Sequence, residues 1–234
     1  EAAQPVPAMW DQDAHCLDYL AYAYLQLGRV AEARAVAQTV AGVTASFPPS
    51  SLTTDYALAA IPARIALERD EWSAAETLSV RPAPAWRGAE GITRFARALG
   101  AARGGDVPAA RAEIDSLAGL ERSLASAGGP QTYWSTQVRI QRLAASAWVT
   151  LAAGDTAEAL RLGAAAADLE DAVEKHPVTP GPVLPARELY GDLLAQVGRP
   201  EDARAAYGQV LGRQPGRARP RAAMARLGQA TGQR

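Results

Sequence analysis

Between Leu184 and Arg217, small and apolar residues alternate with polar ones at helical spacing. Ala203, Tyr207, Val210 and Leu211 recur every three or four positions and form one apolar stripe. Gly191 sits mid-way along a preceding helix, where a missing side chain admits a close neighbour. Gly198-Arg199 ends that helix, Pro200 opens the next and Pro215 closes the unit. A second copy lies near the N-terminus. One helix runs from His15 to Gly28, capped by Asp11 or Asp13. Its partner runs from Val30 to Thr44, and Ala21, Tyr24, Gly28 and Ala33 take the places of the small residue, aromatic, turn glycine and second-helix alanine.

The stretch between is more drifted. Glu1 to Met9 reads as an extended lead-in and Phe47 to Ser51 as a loop. A helix over Leu52 to Arg69 carries Pro62, which should kink or interrupt it. After a turn at Asp70-Glu71-Trp72, a short helix covers Ser73 to Val80, and Arg81-Pro82-Ala83-Pro84 stops it. Helices follow over Trp86 to Arg103, from Asp106 to Ala127, over Tyr133 to Ala153, and on to Lys175. Asp106 reads as an N-cap, and Asp155 with Glu158 as an acidic capping box. His176 to Pro185 is the most proline-rich stretch, and Ala218 to Thr231 is a polar, arginine-rich capping helix.

The pattern Gly191, Gly198, Ala203, Tyr207, Leu211 and Pro215 resembles the tetratricopeptide repeat, a helix–turn–helix unit of about 34 residues. Arg187 stands where that family usually has Trp. The turn residues Gly28, Asp70, Gly105, Gly154 and Gly198 follow one another at 42, 35, 49 and 44 residues, so most units are stretched. The resemblance implies an all-α, right-handed α-solenoid of about five helix pairs (13–45, 52–80, 86–127, 131–175 and 184–215) plus a C-terminal cap over 218–231, all in one domain. Three stretches, HCLDYLAYAYLQLGR, IPARIALER with ITRFARALGAARGGD, and EKHPVTPGPVLPARELYGDLL, resemble the C-terminal half of longer bacterial repeat proteins of undescribed function. That likeness extends to about residue 217 and implies that the chain is part of a larger protein; it implies no activity.

Composition sharpens the picture. Hydrophobic residues make up 48% of the 234, ample for a core, and aromatics only 6%, which favours helices packed through alanine. The formal net charge is −1, from 24 basic and 25 acidic residues, so no electrostatic footprint for nucleic acid or an anionic membrane stands out. Lys175 is the sole lysine and asparagine is absent, as a GC-rich bacterial genome would produce. Cys16 is the single cysteine, excluding an internal disulfide; on an apolar helix it is expected to be buried. No apolar run approaches the roughly 20 residues of a membrane span. Glu1 is not an initiator methionine, and no signal peptide precedes the first helix, so a mature or excised bacterial chain is expected, soluble in cytoplasm or periplasm.

Candidate chemistry is sparse. First helices of tetratricopeptide arrays line a concave surface that holds peptides, and by that resemblance His15, Asp18, Tyr19, Tyr22 and Gln26, joined by Trp148, Glu188 and Asp192, should face a groove. The preferred function is therefore a scaffold binding a protein or peptide segment, or the preceding repeats of a longer chain, without cofactor and without nucleic acid or membrane. The alternative is a metal-binding or enzymatic accessory module through His15, Asp18 and His176, since a carboxylate beside a histidine can orient it as ligand or base. Against that, His15 also reads as a hydrogen-bonded residue at a helix start and His176 as one favoured at a helix end. Arg213, Arg217, Arg219, Arg221 and Arg226 read as a solvated basic face. Motifs for phosphate loops, zinc proteases and serine hydrolases are missing.

Overall fold

The structure is a computed structural model and describes residues 8–81 and 86–232. The predicted proline stop at 82–84 and most of the lead-in lie outside those residues. Among the described residues the chain is all-α apart from one short strand pair. The helices are α1 (Asp11–Gln26), α2 (Val30–Ala41), α3 (Leu52–Glu68), α4 (Trp72–Glu76), α5 (Gly88–Gly104), α6 (Val107–Ala127), α7 (Gln131–Ala152), α8 (Thr156–Asp171), α9 (Ala186–Gln196), α10 (Pro200–Arg213) and α11 (Ala218–Gly232). None is long and apolar enough to cross a membrane.

Five helix–turn–helix junctions share one local geometry. Gly28, Asp70, Gly105, Gly154 and Gly198 all adopt positive φ, between 56° and 92°. The residue after each donates its N–H to the carbonyl five positions back: Arg29 to Tyr24, Glu71 to Ala66, Asp106 to Ala101, Asp155 to Thr150 and Arg199 to Leu194, at 2.8–3.1 Å. This is the Schellman closure, which satisfies carbonyls the helix end leaves unpaired. Asp70 performs it without being glycine, as a short polar side chain tolerates better than a branched one. Five positions beyond each turn residue stands an alanine, Ala33, Ala75, Ala110, Ala159 and Ala203, each 0% exposed. At an enclosed position of this kind a larger side chain would overpack the contact between the two helices.

Two N-caps appear as expected: Asp106 accepts from Ala109 N at 2.9 Å and Asp155 from Glu158 N at 3.0 Å. The capping box is only half formed, because Glu158 turns outward to Arg161. Asp11 and Asp13 are not caps; both lie inside the first turn of α1, where the helix dipole favours acid. The second helices end earlier than the sequence suggests: α2 at Ala41, α8 at Asp171 and α4 after five residues. Beyond α2, Ala45–Phe47 forms β2, parallel to β1 (Ala8–Trp10), a ladder too short to carry a periodic signal. α3 is not interrupted at Pro62, the one position in 56–67 that is not fully buried.

First helices pack in series, α1 on α3, α3 on α5, α5 on α7 and α7 on α9. Each second helix also contacts the first helix that follows, as α2 does α3 and α6 does α7. The main core runs from α3 to α9, with Phe95, Leu99 and Leu117 fully enclosed, each burial stabilising by about 1.5–3 kcal/mol. The sequence of contacts does not end at α10: α11 packs on α10 through Ala223 and also touches α1. The C-terminal helix therefore returns to the first pair.

Candidate functional site

Two features join the first helices to the C-terminal part of the chain. The first is an ion-pair clasp. Arg217, 1% exposed, donates from Nε to Glu188 at 2.9 Å and from Nη1 to Glu68 at 2.9 Å. Arg219 reaches Glu188 at 3.2 Å, Asp192 at 2.5 Å and Asp70 at 2.6 Å. Gln26 completes it, donating to Glu68 at 2.8 Å and accepting from Ala218 N at 2.9 Å. Burial raises the Glu188 carboxyl above its ordinary range, and Arg217 and Arg219 pull it back. The predicted solvated basic face is corrected here for Arg217 and Arg219: both are enclosed because four acids from α3, its turn and α9 converge on them. Arg213 binds Asp171, while Arg221 is exposed.

The second feature is the proline-rich strap, 176–185, which lies against α1 and α3. Its carbonyls are gripped in turn. Tyr19 donates to Thr179 O at 2.9 Å, Tyr56 to Gly181 O at 3.0 Å, and Arg64 to Pro182 O at 3.0 Å and Gly181 O at 3.3 Å. A strap containing four prolines has few N–H groups for regular structure, so side-chain donors satisfy its carbonyls instead. Asp18, 2% exposed, stands 3.5 Å from Arg64; its carboxyl is raised by desolvation, opposed by Arg64.

These contacts locate the sequence-derived residues. Asp18, Gln26, Glu188 and Asp192 are committed to intramolecular ion pairs and hydrogen bonds. Trp148 is buried and stacks under Arg103 at 4.2 Å. Tyr19 holds the strap, and His15 lies edge-on to Tyr19 at 5.0 Å. His176 is not at a helix end, because α8 stops at Asp171; its N–H donates to Tyr133 OH at 2.8 Å and its ring lies against Tyr133 and Trp134. Desolvation, and then Lys175, lowers its pKa. No group of three His, Cys, Asp or Glu suited to a metal ion occurs among the described residues. Cys16 is exposed, a correction explained by the buried stripe Ala14, Asp18, Ala21 and Leu25, which turns position 16 outward.

Between the strap, α5, α7 and the ends of α8 and α10 lies a cavity of about 390 Å³. Of the eight candidate groove residues, only Tyr22 lines it. Its apolar wall is Tyr56, Phe95, Tyr133, Trp134 and Ile140. Trp134 is fixed edge-on by Trp86 at 3.9 Å and Tyr133 at 4.7 Å. Its polar groups include Gln137, Gln141, Gln214, the acids Glu170 and Asp171, and the cations Lys175, Arg187 and Arg213. Arg187 is saturated by Asp168 and Asp171, each at 2.6 Å. Glu170 accepts from Ala186 N at 2.7 Å and so caps α9, leaving Oε1 without a partner among the described residues. Burial pushes its carboxyl up to about 8; neighbouring Asp171 and Glu188 add to the shift, while the Ala186 N–H and Arg217 oppose it. Periodicity did not single out Glu170, because Ala186, which it caps, lies beyond the strap. The chain matches no protein-family model, no curated protein and no solved structure.

Proposed function

We propose that this chain is a non-catalytic binding scaffold, a right-handed solenoid of five tetratricopeptide-like helix pairs that holds a protein or peptide segment at the interior cavity. The observation that carries this reading is the contrast between the cavity and its surroundings. The clasp and strap residues spend most of their polar atoms on one another, whereas the cavity keeps an aromatic wall, a Glu170 oxygen and the Gln137 amide without a protein partner among the described residues, and a buried Gln141 Oε1 with none. Concave, mainly apolar space with a few convergent polar groups is the usual form of a binding site. A volume of about 390 Å³ takes one or two side chains of a partner, not a whole helix.

A photo-crosslinking residue in place of Gln137 tests this directly. Capture of a discrete protein segment there, lost when Ile140→Trp fills the cavity and absent from a control at exposed Arg111, is the expected result. Crosslinking that survives Ile140→Trp overturns it.

A further inference from the structure

We infer that the cavity selects a primary alkylammonium group, seated against Glu170 with its apolar stem along the aromatic wall; this rests on the cavity being the binding site.

Glu170 carries the argument through its partners. One carboxylate oxygen caps α9 at Ala186 N; the other, on a residue that lines the cavity, makes no hydrogen bond or ion pair among the described residues, and Arg217 acts on it only at a distance. Each nearby cation is already engaged: Arg187 with Asp168 and Asp171, Arg213 with Asp171, Arg217 with Glu68 and Glu188. Lys175 gives its ammonium to Thr179 O at 3.0 Å on the exposed rim, where water screens its charge. A carboxylate or phosphate ligand would thus meet Glu170 in the interior and find no free guanidinium there. A neutral ligand would leave Glu170 as it is, driven toward its protonated form by its own burial. An ammonium supplies the missing counter-charge, and the aromatic lining of Tyr56, Phe95, Tyr133 and Trp134 suits an alkyl stem.

The chemistry fits a lysine side chain of a partner segment or a free amine, and the experiment separates them. Calorimetric titration of the full chain uses three probes of one shape: 2-phenylethylammonium, 2-phenylethanol and 3-phenylpropanoate. The ammonium should bind at least about tenfold more tightly than the other two, a gap expected of a desolvated charge pair. Its affinity should rise with pH from about 6 to about 8.5 as Glu170 ionises. Glu170→Gln keeps an acceptor for Ala186 N, so the variant retains its helical signal while losing the preference for the ammonium. A blocked peptide with one lysine between two phenylalanines then identifies the source. If it outbinds its lysine-acetylated form, the site reads a lysine; if only the small amine binds, it reads a free amine. Equal or tighter binding of the acid, or binding unchanged in Glu170→Gln, overturns the inference, as does no binding by any probe. A segment crosslinked at residue 137 whose affinity is indifferent to lysine acetylation also overturns it while leaving the scaffold reading intact.

Discussion

Arg217 Nη1 stands 2.9 Å from Glu68 Oε1, joining residues 149 positions apart in sequence. Both side chains are nearly inaccessible, at 1% and 4%. The same guanidinium holds Glu188 of α9, so one residue ties the second helix pair to the fifth.

Arg217→Ala is expected to destabilise the fold by about 3–5 kcal/mol, because it leaves Glu68 buried without a counter-charge and Glu188 with Arg219 alone. Chemical denaturation checks this. The exposed pair Arg29–Glu32 is the control, and Arg29→Ala should change stability by less than about 1 kcal/mol.

Gly191→Ala should also destabilise, by about 1–3 kcal/mol. A Cβ at Gly191 would lie 2.6 Å from the Tyr207 ring, itself held by a 2.6 Å hydrogen bond to Asp192. Gly208, on α10, has open space around its Cβ direction. Gly208→Ala is expected to stabilise by up to about 1 kcal/mol through helix propensity alone. Opposite shifts in melting temperature are the readout.

Asp106→Ala removes the acceptor for Ala109 N and should cost about 1 kcal/mol. Asp106→Asn, which keeps an acceptor, should restore most of that loss in the same denaturation assay.

Stability should fall as pH rises through the neutral range. Glu170 has a raised folded-state pKa, so its contribution is fully present below the ordinary glutamate value near 4.5 and is lost as pH passes about 8. The groups facing it are Asp171, Glu188, Arg217 and the Tyr133 hydroxyl. Asp18 and Glu188 are shifted in the same direction, so Glu170→Gln should flatten the decline without abolishing it. Melting temperatures between about pH 5 and pH 9 measure the slope.

The helix pairs were legible because their signals are local. Gly28, Gly105, Gly154 and Gly198 mark positive-φ turns, and Ala33 and Ala203 mark the points of closest packing. Asp70 was legible as a turn only through its place in the series. What escaped the sequence depends on residues far apart. Arg217 and Arg219 sit in a run that looks solvated, and only the return of α11 toward α1 brings Glu68 and Asp70 to them. Glu170 looks like one acid among several until the strap delivers Ala186 N to it. Of the residues expected to face a groove, Asp18, Tyr19, Gln26, Glu188 and Asp192 have polar atoms taken up by the chain's own strap and clasp.

The clasp also fixes a number. In an open stack of helix pairs, a unit can be added or removed without disturbing distant ones, since each touches only its neighbours. Here one more pair between α3 and α9 would move Arg217 and Arg219 away from Glu68 and Asp70 by roughly the 8–10 Å that separates packed helices. Two arginines would lose half of their acids, and the acids their charge partners. The count of units between the clasp's two halves is held by electrostatics, and length variation would be tolerated only outside them.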